Sequence, residues 1–339
     1  MAGCRVLACR SFISNVVTPN QSQACLSSST HQPYTVMRNH QKINKKPYEK
    51  QDLWCPVRCC TSTQSTTKYD WQNNVLLITG ASKGIGSQIV RMSLEEGVKQ
   101  VVNLDEDPIH GLGLQTEMNM KYGGADIVKF IKCDLNDEEQ IKERFESVLE
   151  DKENTYVVIN NAGILDNSLQ HFKKQIDVNV GALVAGSLTA LELMRKDNQG
   201  QGGAIINIAS VAALCPLPLT PIYNAAKSAI LTFSIGLGNQ DLFLRTGVRV
   251  MTVCFGSLNT ELTDFTNASS FDKETADKLA TDLHSWPGQT PEAAARAVID
   301  AFKQGETGST WLSNANKPAE NITHIAMKAY SLLSQRSPL

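Results

Sequence analysis

Residues 75–86 read Val75-Leu76-Leu77-Ile78-Thr79-Gly80-Ala81-Ser82-Lys83-Gly84-Ile85-Gly86, an apolar run followed by a glycine-rich turn. The apolar run has the length of a buried strand, and residues 88–96 beyond it are typical of a helix. Glycines allow a tight turn and a close approach of backbone to a pyrophosphate, which a helix N-terminus also attracts. Three residues separate the first two glycines, so the generic dinucleotide pattern is met only loosely. The strand–turn–helix context nevertheless favours a nucleotide site.

After residue 74 the chain alternates between strand-like and helix-like segments. Further strands are predicted at residues 100–104, 127–131, 156–159, 203–208, 248–254 and 310–312. Helices are predicted at residues 88–96, 137–150, 172–195, 223–244 and 291–303. Strands that alternate with helices build βαβ units, whose parallel sheet is covered on both faces. The predicted fold class is α/β, with a doubly wound parallel sheet of about seven strands in one domain (residues 72–315) and a C-terminal tail (residues 316–339).

Residues 1–70 differ in composition from the rest of the chain. They are rich in Ser, Thr, Gln, Asn and Cys, and their first acidic residue is Glu49. Arg5 and Arg10 stand among apolar residues, a pattern typical of an organelle transit peptide. A disordered extension without an address is the alternative. The predicted location is cytoplasmic, or mitochondrial if residues 1–70 act as a transit peptide.

The whole-chain composition excludes some classes of function. The 339 residues are 42% hydrophobic and 19% charged, with a formal net charge of −2. This balance argues against a nucleic-acid binder, which would carry a basic excess. No apolar run approaches the roughly 18 residues of a membrane helix, so no membrane span is predicted. The nine cysteines are scattered and odd in number, so neither a disulfide framework nor a metal site is predicted.

A phenol and an ammonium lie four residues apart in Tyr223-Asn224-Ala225-Ala226-Lys227. Residues at i and i+4 share one face of a helix. An ammonium there stabilises a phenolate and lowers a pKa that starts near ~10. A tyrosine tuned in this way can take a proton from an alcohol near neutral pH. An ordinary helix with a partly buried tyrosine and a solvated lysine is the alternative.

Asp105 follows the second predicted strand, about where a carboxylate would meet an adenosine ribose. A carboxylate there accepts hydrogen bonds from ribose hydroxyls and repels a 2′-phosphate, which favours NAD over NADP. Lys83 favours NADP, because a basic residue in the glycine turn can meet the extra phosphate; a solvated turn residue is the alternative. Asp105 weighs more, since a carboxylate facing a phosphate is directly unfavourable.

Two further segments carry asparagines. Asn161-Ala162-Gly163 follows the fourth strand, where small residues leave room for a cofactor at the carboxyl end of the sheet. A plain Asn/Gly turn is the alternative. Asn179 lies inside the predicted helix 172–195, and a mid-helix Asn is more often exposed than functional.

The order of these motifs resembles the short-chain dehydrogenases/reductases. It runs Thr79-Gly80-x3-Gly84-Ile85-Gly86, Asp134, Asn160-Asn161-Ala162-Gly163, Asn179, Ser210 and Tyr223-x3-Lys227. The resemblance implies a Rossmann-like catalytic domain that binds NAD. The residues implied to bind the cofactor are Gly80, Ser82, Lys83, Gly84, Ile85, Gly86, Asp105, Asp134, Leu135, Asn161, Ala162, Gly163, Tyr223, Lys227, Gly256 and Thr260.

The same resemblance implies the catalytic roles. Tyr223 would be the general base for alcohol oxidation, or the acid for carbonyl reduction. Lys227 would lower the pKa of Tyr223 and bind the nicotinamide ribose. Ser210 would hydrogen-bond the reacting oxygen, and Asn179 would hold a water that links Lys227 to solvent.

Residues 161–166 and 202–208 resemble the NAD-dependent 15-hydroxyprostaglandin dehydrogenases and the insect-type alcohol dehydrogenases, and residues 274–311 are closer to the insect type. Two positions depart from these families. Phe255-Gly256 stands in place of the usual Pro-Gly, and Thr220 stands where prostaglandin dehydrogenases carry glutamine. Thr220 argues against a prostaglandin substrate. The family often pairs its two long helices, so a homodimer or homotetramer is expected.

The predicted function is that of an NAD-dependent oxidoreductase acting on a small apolar secondary alcohol or its ketone. An NADP-linked carbonyl reductase is one alternative, and a non-catalytic dinucleotide- or lipid-binding relative is another. The intact set of Ser210, Tyr223 and Lys227 argues against the latter. Apolar side chains between residues 257 and 286 could line the substrate pocket, or simply pack a lid helix onto the sheet. They are Leu258, Leu262, Phe265, Phe271, Leu279, Leu283 and Trp286.

Overall fold

The computed structural model describes residues 68–258, 270–284 and 288–335. The strands are β1 (Val75–Thr79), β2 (Gln100–Asp105), β3 (Val128–Lys132), β4 (Tyr156–Asn160), β5 (Gly203–Ser210), β6 (Val248–Phe255), β7 (Thr310–Ser313) and β8 (Glu320–Asn321). The helices are α1 (Gly84–Glu95), α2 (Pro108–Tyr122), α3 (Glu138–Val148), α4 (Phe172–Ile176), α5 (Ala182–Met194), α6 (Pro221–Leu237), α7 (Gln240–Thr246), α8 (Lys273–His284), α9 (Pro291–Gln304) and α10 (Thr323–Ser334). The prediction of an α/β fold is confirmed.

The strands form one sheet in the order β3-β2-β1-β4-β5-β6-β7-β8. β1 to β7 are parallel, and β8 pairs antiparallel with β7 at the edge. The strand order reverses at β1, whose two neighbours β2 and β4 lie on opposite sides. Ligands of doubly wound sheets bind at such a switch point, outside the carboxyl ends of the strands. The crevice at the ends of β1 and β4 is therefore where a functional site is expected.

Both faces of the sheet are covered by helices, which explains why β1 is apolar throughout. Leu76 and Ile78 pack in the core on one face, together with Ile89 of α1. Leu77 packs in the core on the other face, together with Phe145 of α3. A strand buried on both faces reads as a continuous apolar run rather than an alternation, so the sequence predicted this strand well.

A buried polar network links the strands that end at the crevice to the helices behind them. Asn160 Nδ2 donates to Ser187 Oγ (3.0 Å) and to Asn207 Oδ1 (2.8 Å). Asn207 Nδ2 donates to Ser234 Oγ at 2.9 Å. Because these side chains are fully buried and mutually hydrogen-bonded, they fix α5 and α6 against β4 and β5 in a single arrangement.

The single helix predicted over residues 223–244 is wrong, since α6 ends at Leu237 and α7 begins at Gln240. At Gly238 a Cβ would lie 2.6 Å from Gly308 Cα, so the close approach of backbone requires glycine. Asn239 then caps α7, and its side chain accepts hydrogen bonds from Asp241 N and Leu242 N. The break thus combines a steric requirement at Gly238 with a new cap.

Three elements were not predicted from the sequence. α2 begins with strong local signals, because Asp107 caps it and Pro108 occupies its first turn. Its apolar stripe is weak, since Ile109 and Met120 are exposed. β8 and α10 lie in the segment predicted as a tail, where Thr323 Oγ1 accepts from Thr310 N at 2.9 Å. The folded structure therefore continues well beyond residue 315.

One described helix, the continuous run Phe172–Met194, is long and apolar enough to cross a membrane by length and composition alone. Core helices of globular proteins meet the same criteria, so this is weak evidence. Ala190 and Met194 of this run pack in the core beneath the sheet.

The first described residues form a strap across α9. Trp71 is fully buried, with its ring 4.2 Å from that of Phe302 and its indole nitrogen directed at Ile299 O. The guanidinium of the buried Arg249 lies 3.3 Å from the centre of the Tyr69 ring. Burial of this tryptophan and stacking of this arginine attach residues 68–71 to the domain.

Trp71→Ala is expected to lower the free energy of unfolding by about 3–5 kcal/mol, because a large buried ring leaves a cavity against Phe302. Urea denaturation measures the loss. Its neighbour Gln72 is exposed, and Gln72→Ala should change the unfolding midpoint little. Equal midpoints for the two variants would show that the strap does not contribute to the core.

Candidate active site

A cleft of about 890 Å³ opens at the carboxyl ends of β1, β2 and β4. It is lined by Gly80, Ser82, Lys83, Gly84, Ile85, Gly86, Ser87, Arg91, Asp105, Glu106, Ile109, His110, Gly113, Leu114, Glu117, Leu135, Asn136, Asn161, Ala162, Gly163, Ile164, Lys174, Val178 and Pro291. The cleft therefore occupies the switch point and contains the glycine turn, Asp105 and the Asn161-Ala162-Gly163 segment. Its volume lies within the range of sites that hold small molecules and cofactors.

The glycine turn is shaped by close contacts that only glycine permits. Gly80 has φ +67°, and a Cβ there would lie 2.8 Å from Ala162 Cα. A Cβ at Gly86 would overlap Gly80 O and lie 2.6 Å from Ala81 Cα. The turn thus leads directly into the N-terminus of α1, whose free N–H groups face the cleft and attract an anion.

Asn161 joins the ends of β1 and β4. Its Nδ2 donates to Thr79 O (3.0 Å) and Gly80 O (2.8 Å). In return, Thr79 Oγ1 accepts from the backbone N–H groups of Asn161 and Ala162. Asn161 therefore holds the glycine turn in place through its hydrogen bonds and also lines the cleft.

Asn103 and Asp105 hold the same turn from β2. Asn103 is fully buried, and its Oδ1 accepts from Ala81 N at 3.0 Å. Asp105 accepts from Ser82 N (2.9 Å) and Asp107 N (3.0 Å). The sequence reasoning missed Asn103, although a polar residue inside an apolar strand was a usable signal.

Lys83 projects over the start of α2. Its Nζ lies 3.3 Å from Asp107 Oδ2, which also contacts His110 Nδ1 at 2.8 Å. Backbone hydrogen bonding at His110, with the side chains of His110 and Lys83, lowers the pKa of Asp107 to about 2. Two carboxylates, Asp105 and Asp107, therefore accompany the lysine at this end of the cleft.

Gly86→Ala is expected to weaken NAD binding at least about tenfold, because the new methyl group must displace the backbone of the glycine turn. Gly113 provides a matched control: it lines the same cleft, and a Cβ there would meet no atom within 4 Å. Gly113→Ala should leave affinity nearly unchanged. NADH fluorescence titration gives both dissociation constants, and equal affinities would contradict this view of the turn.

A second group of side chains lies beside the cleft, at the end of β5 and on α6. Ser210 ends β5, and its side chain lies near enough to the Tyr223 hydroxyl to favour the phenolate and lower the pKa of Tyr223. Lys227 is buried one turn beyond Tyr223, and its Nζ lies 5.5 Å from the centre of the Tyr223 ring. Lys227 Nζ also donates to Ile208 O at 3.1 Å. The fold thus brings together the three residues expected to form a catalytic set.

Burial shifts the pKa of the phenol and the pKa of the ammonium in the directions that favour the neutral form of each group. Loss of solvent raises the pKa of the half-buried Tyr223 to about 12, and the neighbouring Ser210 side chain opposes this rise. Loss of solvent also lowers the pKa of Lys227 to about 8. A charge on either residue is therefore costly in the free protein. A group that stabilises the Tyr223 phenolate would lower the pKa of Tyr223 and make it a stronger candidate for proton transfer.

Asn179 is fully buried, in contrast to the exposure usual for a mid-helix asparagine. It lies in a π-helical turn, Asp177–Gly181, between α4 and α5. Its side chain makes two hydrogen bonds to the backbone of Ile164, each 2.8 Å long. The wide turn redirects this side chain to the β4 loop, and π-helical turns are frequent at functional sites.

Gly163 connects the two groups of residues. It lines the cleft, and a Cβ there would lie 3.0 Å from Asn179 Oδ1 and 3.5 Å from Lys227 Nζ. Gly163, at the wall of the cleft that contains the glycine turn, therefore lies next to the buried lysine.

The other predicted site residues lie in different places. Leu135 lines the cleft, but Asp134 is exposed and bonds to Asn136 instead. Gly256 lies outside the cleft lining, under Asn314, whose Oδ1 a Cβ at Gly256 would overlap. Thr260 lies outside the described residues.

The apolar residues predicted for a substrate pocket or lid are partly buried in the structure, partly exposed and partly outside the described residues. Leu279 of α8 packs against Leu165 and Leu219, and Leu258 is buried, whereas Phe271 is partly exposed. Leu262 and Phe265, like the side chains of Leu283 and Trp286, lie outside the described part of the chain.

Comparison with known proteins agrees with the fold and the motifs. A family model described as short chain dehydrogenase matches residues 74–270. The chain is 31% identical over 188 residues to 15-hydroxyprostaglandin dehydrogenase [NAD(+)] of Macaca fascicularis, covering 56% of this chain and 69% of that protein. It is 32% identical over 187 residues to alcohol dehydrogenase 1 of Ceratitis capitata, covering 55% and 72%.

Solved structures share the fold at lower identity. A short-chain type dehydrogenase/reductase from Mycobacterium ulcerans superposes with a TM-score of 0.60 at 18% identity, covering 80% of this chain and 100% of that one. The family model spans more than half of the chain, and the order of the strands and the sequence motifs agree with it. The protein therefore belongs to the short-chain dehydrogenase/reductase family of oxidoreductases.

Proposed function

We propose that this protein is an NAD-dependent dehydrogenase that oxidises a small apolar secondary alcohol, or reduces the corresponding ketone. The observation that carries the proposal is the grouping of Ser210, Tyr223 and the buried Lys227, one helical turn beyond Tyr223, beside a cleft with a glycine turn. The two relatives described above are named as dehydrogenases, one of them NAD-dependent.

The glycine turn fits a dinucleotide. Side chains at Gly80 or Gly86 would collide with Ala162 or with the backbone of the turn itself. Only glycine there lets the turn fold closely enough for a pyrophosphate to lie at the α1 N-terminus. Asp105 lies in the cleft wall where ribose hydroxyls would be bound. Lys227 would hold the nicotinamide ribose, next to Gly163. When bound, the nicotinamide supplies the hydride acceptor or donor.

In the proposed mechanism Tyr223 exchanges a proton with the reacting oxygen. For alcohol oxidation the phenolate of Tyr223 accepts the hydroxyl proton, and for ketone reduction the phenol donates it. Ser210 donates its single hydroxyl hydrogen to the same oxygen. The Lys227 ammonium lowers the cost of the phenolate, which burial otherwise makes unfavourable. Asn179 holds the β4 loop that packs beside Lys227.

The apolar nature of the substrate rests on leucines of the loops that also carry residues of the site. Leu165, in the loop between β4 and α4, and Leu219, in the loop before α6, pack against Leu279 of α8. Thr220 is buried and bonds to Asn224 Oδ1 at 3.1 Å, so it offers no polar group in place of the glutamine of prostaglandin dehydrogenases. A small alcohol is favoured over a prostaglandin.

A panel of secondary alcohols with NAD, followed through NADH formation, tests the proposal on the full chain. Turnover of at least one apolar alcohol is the expected result. NADH binding without turnover of any alcohol or ketone would instead favour the non-catalytic relative. Turnover with NADP alone would favour the carbonyl reductase.

Asp105→Asn is expected to raise affinity for NADP relative to NAD by roughly tenfold or more, because it removes a charge that repels the 2′-phosphate. The amide can keep one of the two hydrogen bonds that Asp105 accepts from Ser82 N and Asp107 N, so the turn should keep its shape. Glu106 lines the same cleft, and Glu106→Gln is the matched control. An unchanged NADP/NAD ratio of dissociation constants would contradict the role of Asp105.

The assembly and location of the protein are separate proposals. We propose a homodimer or homotetramer formed through the long helices, which sedimentation measures directly. A cytoplasmic location is proposed, with residues 1–70 as a mitochondrial address in the alternative; a fluorescent fusion of residues 1–70 distinguishes the two.

A further inference from the structure

The N-terminus of α6 carries the proposed catalytic tyrosine and lacks an ordinary cap. The first N–H groups of a helix have no partner inside the helix and are usually satisfied by a capping side chain. Thr220 occupies the cap position of α6 but makes no capping hydrogen bond. Pro221 has no N–H, and Tyr223 is the third residue of the helix. The N–H of Tyr223 is thus one of the groups that need an outside acceptor.

Asn167 supplies that acceptor from a different part of the chain. Its Oδ1 accepts from Tyr223 N at 3.3 Å, across 56 residues of sequence. Asn167 is fully buried, in the loop between β4 and α4 that continues from Gly163. One side chain therefore connects the cleft loop to the backbone of the residue proposed to transfer the proton.

The loop that holds Asn167 is itself fixed on both sides. Ile164 is bound at both its N–H and its C=O by Asn179. Gln175, fully buried, accepts from Asp166 N, and Asp166 Oδ1 accepts from Ser168 N at 2.9 Å. Asn167 is consequently held on a supported segment, as a group that orients another must be.

The arrangement carries an energetic cost. The N–H of Tyr223 requires an acceptor, which directs Asn167 Oδ1 toward it and turns Nδ2 away. Asn167 Nδ2 is buried, and no described residue accepts a hydrogen bond from it. A buried donor without a partner costs about 1–3 kcal/mol, so such a group calls for an explanation. A leucine would avoid that cost but would leave the N–H of Tyr223 without its acceptor, and an aspartate would keep the acceptor at the cost of a buried carboxyl group.

We propose that Asn167 is a positioning residue, which fixes the backbone of Tyr223 so that its hydroxyl meets Ser210 and the substrate oxygen. The inference rests on the proposed function, because it assigns Asn167 a task only if Tyr223 transfers the proton. Asn167 acts through Tyr223 and needs no contact with the substrate. A small shift of a catalytic group can cost about 10²-fold in rate, which is the scale of effect that such positioning can have.

Two substitutions of similar volume separate the acceptor from packing. Asn167→Leu removes the acceptor and fills the space, whereas Asn167→Asp keeps the acceptor and lacks the unpartnered donor. A helix N-terminus also favours a carboxylate. The full-chain protein is assayed with NAD and the best alcohol of the panel, and the highest kcat over the pH range is compared. Because the highest kcat values are compared, a shift of the pH optimum caused by the new carboxylate is not mistaken for a loss of kcat.

Asn167→Leu is expected to lower kcat by about 10- to 100-fold, with the NADH dissociation constant within about twofold of wild type, and Asn167→Asp to restore most of kcat. The control Asn119→Leu removes hydrogen bonds to Val128 at the opposite end of the sheet. It should lower stability but leave kcat unchanged. If Asn167→Leu does not fold, Asn167→Ala takes its place.

Three results overturn the proposal: a wild-type kcat in Asn167→Leu, no recovery in Asn167→Asp, or a loss of kcat in Asn119→Leu as large as in Asn167→Leu. Failure of the proposed function is distinct from these, because Tyr223→Phe would then remain active. Loss of activity in Tyr223→Phe together with full activity in Asn167→Leu would reject the positioning role alone.

Discussion

Tyr223→Phe is expected to lower kcat for alcohol oxidation by about 10²–10⁴-fold, because it removes the only atom of this side chain that can exchange a proton. The ring remains and packs as before, and the phenol is neutral near pH 7, since its pKa lies at about 12 in the free protein. Folding and NADH affinity should therefore be nearly unchanged. NADH formation measures kcat, and fluorescence titration measures the affinity.

Tyr156 provides a matched control for this substitution. It is buried at the start of β4, at the opposite end of the sheet from the cleft, where its hydroxyl donates to Asp151 O at 3.2 Å. Tyr156→Phe removes a buried phenol oxygen without touching the site, so it should affect stability alone. Full activity in Tyr223→Phe would reject the proposed mechanism.

Lys227→Met is expected to lower kcat by about 10²-fold or more, because the phenolate loses its neighbouring ammonium. The alcohol-oxidation rate should also rise only at higher pH than in wild type, because no neighbouring ammonium then favours the phenolate. A pH–rate profile measures both effects. A wild-type profile in Lys227→Met would contradict the role of Lys227.

The same substitution is expected to stabilise the protein at pH 7. Burial lowers the pKa of Lys227 from 10.5 to about 8, so below pH 8 the folded protein must carry an unfavourable buried charge. Between pH 8 and pH 10.5 the unfolded chain binds more protons at this lysine than the folded protein does. The free energy of unfolding of the wild type therefore rises with pH in this range. Methionine has no such charge. It loses the hydrogen bond to Ile208 O, which leaves a net gain on the order of 1–2 kcal/mol below pH 8.

Urea denaturation at pH 7 and again above pH 10 measures this gain. It should be largest below pH 8 and fade as the pH rises through 10.5, above which the wild-type lysine is neutral in both states. Lys129 is an exposed lysine on β3, and Lys129→Met should show no such pH dependence. A variant less stable than wild type at pH 7 would show that the buried charge is not a cost. Stability gained at the expense of activity is the usual mark of a functional residue.

The elements that the sequence predicted share a physical cause. β1 and β4 are buried on both faces, so their apolar runs were unambiguous. α2 was missed, because only Gly111, Leu114 and Met118 of its residues are buried and no continuous stripe forms. The break between α6 and α7 depends on the approach of Gly308 to Gly238, a contact between distant segments.

The residues of the candidate site also fall into those that the sequence predicted and those that only the tertiary fold reveals. The glycine turn, Ser210, Tyr223 and Lys227 follow local spacings on single elements, so motif order sufficed to find them. Asn167 has no such spacing, because its partner lies 56 residues away and only the tertiary fold brings them together. Asn179 was found through its family position, but its burial depends on the π-helical turn, which no local pattern predicted.

The short segment from Asn161 to Gly163 has a thermodynamic consequence. One end holds the glycine turn through Asn161, and the other end abuts Lys227 and Asn179 through Gly163. A ligand that shifts this segment together with the turn would also shift the surroundings of the lysine, and linkage makes such a coupling reciprocal. For the proposed dehydrogenase, free energy released by dinucleotide binding would then help to place Lys227 before an alcohol binds, so ordered binding with the cofactor first is expected.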